Sequence, residues 1–118
     1  MESAFVIQIH SGHGPTHYDL MLEAGQALAT WRLDRPPTEL SVGQEVRAEK
    51  LPDHRRAYLT YEGPVSRGRG EVRVLDRGAY DAAEASDERW MVTLRGRRVR
   101  GCFEIAHCQD GWLLRRVG

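Results

Sequence analysis

Metal-binding and proton-transferring residues gather near the N-terminus as Gln8-Ile9-His10 and His17-Tyr18-Asp19, and His54 follows with Tyr58 four residues beyond it. Imidazole and carboxylate groups are common ligands of divalent transition metals. Side chains alternate along an extended strand, so Gln8 and His10 share one face, as do His17 and Asp19. Cross-strand neighbours lie about 4.5–5.5 Å apart at Cβ, so the two segments can converge on one ion. His10, Asp19 and a third ligand make a two-histidine, one-carboxylate set with open positions. His54, in the loop segment Leu51-Pro52-Asp53-His54, is the natural third member. His13, in a glycine-rich loop, and His107, on a late strand, read as structural.

The elements that must position these groups are short strands punctuated by Gly and Pro. Ala4–His10 alternates, with Phe5, Ile7 and Ile9 toward a core and Val6, Gln8 and His10 on the other face. After the turn cluster Ser11–Pro15, His17–Glu23 alternates again, with Tyr18, Leu20 and Leu22 opposite His17, Asp19 and Met21. Together they read as a hairpin with a long loop. Further strands are expected over Leu28–Leu33, Glu45–Leu51, Ala57–Tyr61, Glu71–Leu75, Trp90–Leu94, Val99–His107 and Trp112–Arg116. Thr38–Gly43 reads as a loop or one helical turn, Asp76-Arg77-Gly78 as a closing turn, and Tyr80–Ser86 as a short helix or mobile loop. Eight or nine short strands with almost no helical periodicity predict a mainly β fold with minimal helix. A compact β-barrel fits best, since closure hides strand edges.

The 118 residues, 41% hydrophobic and 29% charged, suit one globular domain spanning 1–118. No apolar run approaches the roughly 18–20 residues that cross a bilayer. No secretory leader is apparent. A cytoplasmic protein without a membrane partner is therefore expected, and a monomer for want of an apolar seam. Cys102 and Cys108 read as reduced thiols in or near the core. Net charge is zero, which argues against bulk adhesion to nucleic acid. The cations are uneven: all but Lys50 of the 17 basic residues are arginine, clustered at Arg67-Gly68-Arg69 and along Arg95–Arg100. Guanidinium forks suit phosphate oxygens. No nucleotide-binding glycine loop with its Lys and Ser/Thr occurs, and no Gly-x-Ser-x-Gly elbow, so nucleotide-dependent ligation is not this chain's own chemistry.

Phe5–His10, His17-Tyr18-Asp19-Leu20-Met21-Leu22-Glu23 and Thr30-Trp31 resemble the 3′-phosphoesterase domain of bacterial ATP-dependent DNA ligase D, which also has stand-alone relatives. The likeness continues through Asp53-His54 with Tyr58, Tyr61-Glu62-Gly63, Gly68-x-Gly70, Asp76-Arg77-Gly78 and Trp112-Leu113-Leu114. The resemblance implies a compact β-barrel holding a divalent metal, typically manganese, with zinc or cobalt as alternatives. It implies trimming of DNA 3′ ends, by removal of a terminal ribonucleoside or a 3′-phosphate during end repair. A DNA ligase or polymerase would be the partner. By motif, His10, Asp19 and His54 match metal ligands, His17 and Tyr58 match groups near the scissile phosphate, and Gln8 matches a supporting glutamine. The family pattern His-Tyr-Asp-x-Arg is broken here by Met21, and Arg32, Arg55 and Arg69 are the candidate replacements for that phosphate-clamping arginine. The first loop is one residue longer and lacks the family's paired arginines. Met21 leaves two other readings open: a weak or inactive module that binds nucleic-acid ends, and a hydrolase of a small phosphate ester.

Overall fold

Alternating apolar residues between tight turns give nine strands in a computed structural model that describes residues 2–118. They are β1 (Ser3–Ser11), β2 (His17–Ala24), β3 (Ala27–Leu33), β4 (Glu45–Arg55), β5 (Gly63–Pro64), β6 (Glu71–Ala85), β7 (Arg89–Gly96), β8 (Arg100–Cys108) and β9 (Gly111–Arg116). Two 3-10 turns, Pro37–Glu39 and Arg56–Leu59, interrupt them. Each strand pairs antiparallel with its neighbours in the order β1-β2-β3-β4-β9-β8-β7-β6, and β6 returns to β1. The sheet is thus a closed eight-stranded barrel, with the short β5 appended to β6. Closure leaves few edges for other chains to pair with.

The barrel interior holds Phe5, Ile7, Leu20, Leu22, Trp31, Leu33, Leu94, Phe103, Ile105 and Leu114, all nearly inaccessible. Trp31 lies at the centre, edge-on to Trp90 and Trp112 at 5.5 and 5.7 Å. A second, smaller cluster lies outside the barrel wall. Val6, Met21 and Leu28 project from the outer face of β1–β3 and are covered by Tyr58 and Leu59 of the Arg56–Leu59 turn. Both faces of these three strands are therefore buried through their middles, and Gln8, His10, His17 and Asp19 sit at one end of the covered outer face.

Several expected elements differ. The segment 57–61 is the 3-10 turn and its exit rather than a strand. Two main-chain carbonyls, at Tyr58 and Tyr61, accept from the Gln8 amide instead of from a strand partner. Tyr80–Ser86 is neither helix nor loop: Glu71–Ala85 runs as one long strand straight through Asp76-Arg77-Gly78. The alanines there suggest helix, but cross-strand pairing with β7 over Gly78–Ala85 overrides that local preference. His54 lies within β4 rather than in a loop. Cys102 is half-buried and Cys108 exposed, so only the first is near the core; both are free thiols.

Asp76 explains why its tripeptide does not turn. Its side chain is buried inside the wall, and its two oxygens accept four main-chain N–H groups. Oδ1 accepts from Arg77 and Arg97 at 2.9 Å, and Oδ2 from Arg98 at 3.0 Å and Val99 at 2.8 Å. A carboxylate so satisfied ties the β7–β8 turn to the middle of β6. The neighbouring glycines make room: a Cβ on Gly78 would lie 2.1 Å from the Arg95 carbonyl oxygen, and one on Gly96 2.4 Å from Asp76 Oδ2. Removing a buried acceptor strands its donors without partners. Asp76→Ala is therefore expected to cost about 3 kcal/mol or more, measured as a lowered urea midpoint with an unchanged slope. A loss below about 1 kcal/mol contradicts the role given to it.

Candidate functional site

The register of the first hairpin decides where the ligand residues fall. Gln8 lies directly opposite Asp19, and His10 opposite His17. On the far side of β2, Asp19 lies opposite Arg32 of β3. Directly opposed residues share a sheet face, so all five project from the outer face. A β-bulge adds His54 to them. Thr30 pairs with Leu51 but Leu28 pairs with His54, so β4 carries one extra residue across Pro52-Asp53. Without that residue, alternation would send His54 into the barrel; with it, His54 and Leu51 face the same side.

The result is a cavity of about 230 Å³ lined by Gln8, His10, Asp19, Arg32, His54 and Tyr58, with Arg69 and Val72 at its edge. His10, His17 and Asp19 offer ligand atoms that all lie within 4.8 Å of one another, close enough to hold one metal ion. His54 lines the same cavity but is not a member of that close group. The structure thus brings Gln8, His10, His17, Asp19, His54 and Tyr58 together, while Arg55 lies in a neighbouring hollow. Its tight cluster pairs His10 and Asp19 with His17, where the motif match had paired them with His54.

Burial and hydrogen bonding set the state of each group. The His10 Nε2–H donates to the Arg69 carbonyl at 2.6 Å. A carbonyl only accepts, so the proton is on Nε2 and Nδ1 keeps its lone pair, the form a metal needs. That carbonyl is held by Gly70, whose φ of +79° and contact with β1 admit no side chain: a Cβ would sit 2.0 Å from the Ser11 carbonyl oxygen. The His10 and His17 rings lie 4.6 Å apart, centre to centre. His17 Nε2 stands 3.5 Å from Asp19 Oδ1. Neither atom makes a hydrogen bond, although both are buried. Burial holds the His17 imidazole below its ordinary range, opposed by Asp19 and reinforced by Arg32 and His10. Burial likewise raises the Asp19 carboxyl, against the pull of His17, Arg32, His10 and His54.

Buried polar atoms without partners are costly and therefore uncommon. An imidazole nitrogen and a carboxylate oxygen left so, side by side, fit a divalent cation that would satisfy both. Gln8 has a different task. Its Nε2 donates to the Tyr58 carbonyl at 3.0 Å and the Tyr61 carbonyl at 3.1 Å, which pins the turn that carries Tyr58. Arg56 pins the other end, through an ion pair with Glu23 and a 3.2 Å bond to the Gly25 carbonyl. The Tyr58 ring then stands edge-on to His54, centroids 5.4 Å apart. His54 Nδ1 lies 3.0 Å from the Pro52 carbonyl, which assigns its proton to Nδ1 and leaves Nε2 free.

The sequence model of the DNA ligase D 3′-phosphoesterase domain matches residues 8–107. The chain belongs to that family. This membership supports a 3′-phosphoesterase type of function in DNA repair. No curated protein matches the chain. The match begins at Gln8, the first residue of the cavity wall, and runs through His10, His17, Asp19, His54 and Tyr58 to His107. Among the described residues, no helix is long and apolar enough to cross a membrane.

Two outcomes follow. Asp19→Asn removes a buried charge that the metal-free fold must desolvate. Its melting temperature without metal at pH 7–8 should equal or exceed that of the native protein, while the rise on adding Mn²⁺ disappears. A large fall in the metal-free melting temperature contradicts this reading of Asp19. Gly70→Ala should displace the Arg69 carbonyl from His10 and weaken metal binding about 10–100-fold, measured by calorimetric titration.

Proposed function

We propose that this protein is a metal-dependent phosphoesterase that trims DNA 3′ ends, removing a terminal ribonucleoside or a 3′-phosphate during end repair. One observation carries the reading: a His–His–Asp group, in which buried His17 and Asp19 each carry an unpaired ligand atom, opens onto a cavity walled by His54 and Tyr58, in a chain of the ligase D 3′-phosphoesterase family.

His10, His17 and Asp19 would hold the ion, with manganese the first expectation and zinc or cobalt as alternatives. A divalent cation at such a site supplies Lewis acidity to a phosphate oxygen and acidity to a water. His10 and His17 would bind it as neutral imidazoles. The hydrogen bond to Arg69 fixes the His10 tautomer, and burial keeps the His17 ring unprotonated near neutral pH. Asp19 contributes the negative charge that balances the cation. Gln8 positions rather than reacts, since its amide is occupied by two main-chain carbonyls. Across the cavity, the Tyr58 hydroxyl can donate to a phosphate oxygen. His54, free at Nε2, can donate there when protonated or pass a proton to the leaving oxygen. The 3-10 turn and the Gly68–Gly70 loop close two sides of the cavity and limit the water around the phosphate.

A DNA ligase or polymerase that acts on the trimmed end is the natural partner. Met21 favours a second reading, a module that binds 3′ ends without turnover. Its side chain is almost inaccessible in the small outer cluster, so position 21 contributes packing instead of charge. An assay separates the two readings. A primer ending in a 3′-phosphate or a single ribonucleotide should be trimmed with Mn²⁺ and left intact with EDTA. His54→Ala and Tyr58→Phe should each lower kcat by about 10²–10⁴-fold with little change in metal affinity. Tight end binding without any release of phosphate or nucleoside contradicts the enzymatic reading and leaves the binding module.

A further inference from the structure

We infer that Arg32 of β3 supplies the phosphate-binding guanidinium of this site, in place of the β2 arginine that Met21 replaces. The inference rests on the proposed phosphoesterase reading, because it assigns a residue to that reaction.

Position 21 cannot serve: Met21 packs with Val6 and Leu28 beneath Tyr58 and Leu59. Two arginines line the metal-side cavity, Arg32 and Arg69. The Arg69 guanidinium is committed to its own loop, with Nε donating to the Ser66 carbonyl at 2.9 Å and Nη2 to the Ser66 hydroxyl at 3.2 Å. Arg55 lines a neighbouring hollow with Ala57, Tyr61 and Ser66 and does not reach the metal side. Arg56 is paired with Glu23. Arg32 differs from all three. It lies directly across the sheet from Asp19, on the same face. Its Nε is buried and makes no hydrogen bond, and among the described residues it forms no ion pair.

Two opposite charges in direct cross-strand register normally join. Asp19 and Arg32 do not, and each leaves a buried polar atom without a partner. A ligand set between them would resolve both deficits: Asp19 would hold the cation, and the Arg32 fork would take a phosphate oxygen beside it. A guanidinium suits this because it stays charged and offers several N–H groups in one plane. Placed on β3 rather than two residues along β2, it stands one strand spacing from the carboxylate, on the face the site requires. Met21 is then free to seal the small cluster that anchors the Tyr58 turn.

The test uses the full chain with Mn²⁺ bound and two readouts. The first is binding of inorganic phosphate, by calorimetry. The second is release of phosphate from a 3′-phosphorylated primer. Arg32→Met should weaken phosphate binding at least 10-fold and lower kcat/KM by about 10²–10³-fold, while Mn²⁺ affinity stays within about 3-fold of native. Arg32→Lys should recover part of the binding and less of the turnover, because a point charge lacks the fork. Arg55→Ala, in the neighbouring hollow, should leave phosphate binding within a few-fold. If Arg32→Met binds phosphate and turns over like the native protein, or if Arg55→Ala takes the larger loss, the inference is overturned. If phosphate binding depends on Arg32 but no primer is trimmed, the inference stands and the phosphoesterase reading fails.

Discussion

A buried carboxylate oxygen must be hydrogen-bonded, coordinated or protonated, and Asp19 Oδ1 finds no hydrogen-bond donor within the protein. The Nε2 of His17 beside it is likewise without a partner. The rest of the architecture keeps that arrangement in place. The β1–β2 register sets His10 against His17 and Gln8 against Asp19. Barrel closure through β6 fixes β1, and the Gly70 contact brings a carbonyl to His10. Every one of these supports is main-chain geometry, so the site is held before any ligand arrives. Such preorganisation is what allows a charged site to act without first rearranging.

The strands that carry the site are unusual in being covered on both faces. Main-core residues fill one side, and the other is sealed by a single 3-10 turn. That turn has few hydrogen bonds of its own. It is tied down by the Gln8 amide on one side and by Arg56 with Glu23 on the other. Gln8 thus links fold to chemistry: it lines the cavity, and it decides where Tyr58 stands. Met21 belongs to the same logic. Its side chain packs with Val6 and Leu28 under the turn that Gln8 pins.

Much of this was legible in the sequence. Strand alternation in Phe5–His10 and His17–Glu23 predicts the correct faces, because a period of two leaves only two choices. Barrel closure follows from many short strands with no helix to cover them. The missed features depend on contacts distant in sequence. The alanine-rich end of β6 looks helical until β7 is there to pair with it. Asp76-Arg77-Gly78 looks like a turn because its carboxylate serves a turn more than 20 residues away. The 3-10 geometry of Arg56–Leu59 rests on Gln8, about fifty residues upstream. His54 was identified from its residue type, but its orientation follows from a bulge at Pro52-Asp53 that no local pattern announces. The close pairing of His17 with His10 and Asp19 was available from the hairpin register, had the loop length been known.

If His10, His17 and Asp19 together cradle one divalent cation, anomalous diffraction from a Mn²⁺-soaked crystal will show a single strong peak within about 2.0–2.5 Å of one nitrogen from each of these imidazoles and of an Asp19 oxygen, with His54 beyond bonding distance. A peak bonded to His54 but not to His17, or no peak at this wall of the barrel, contradicts it.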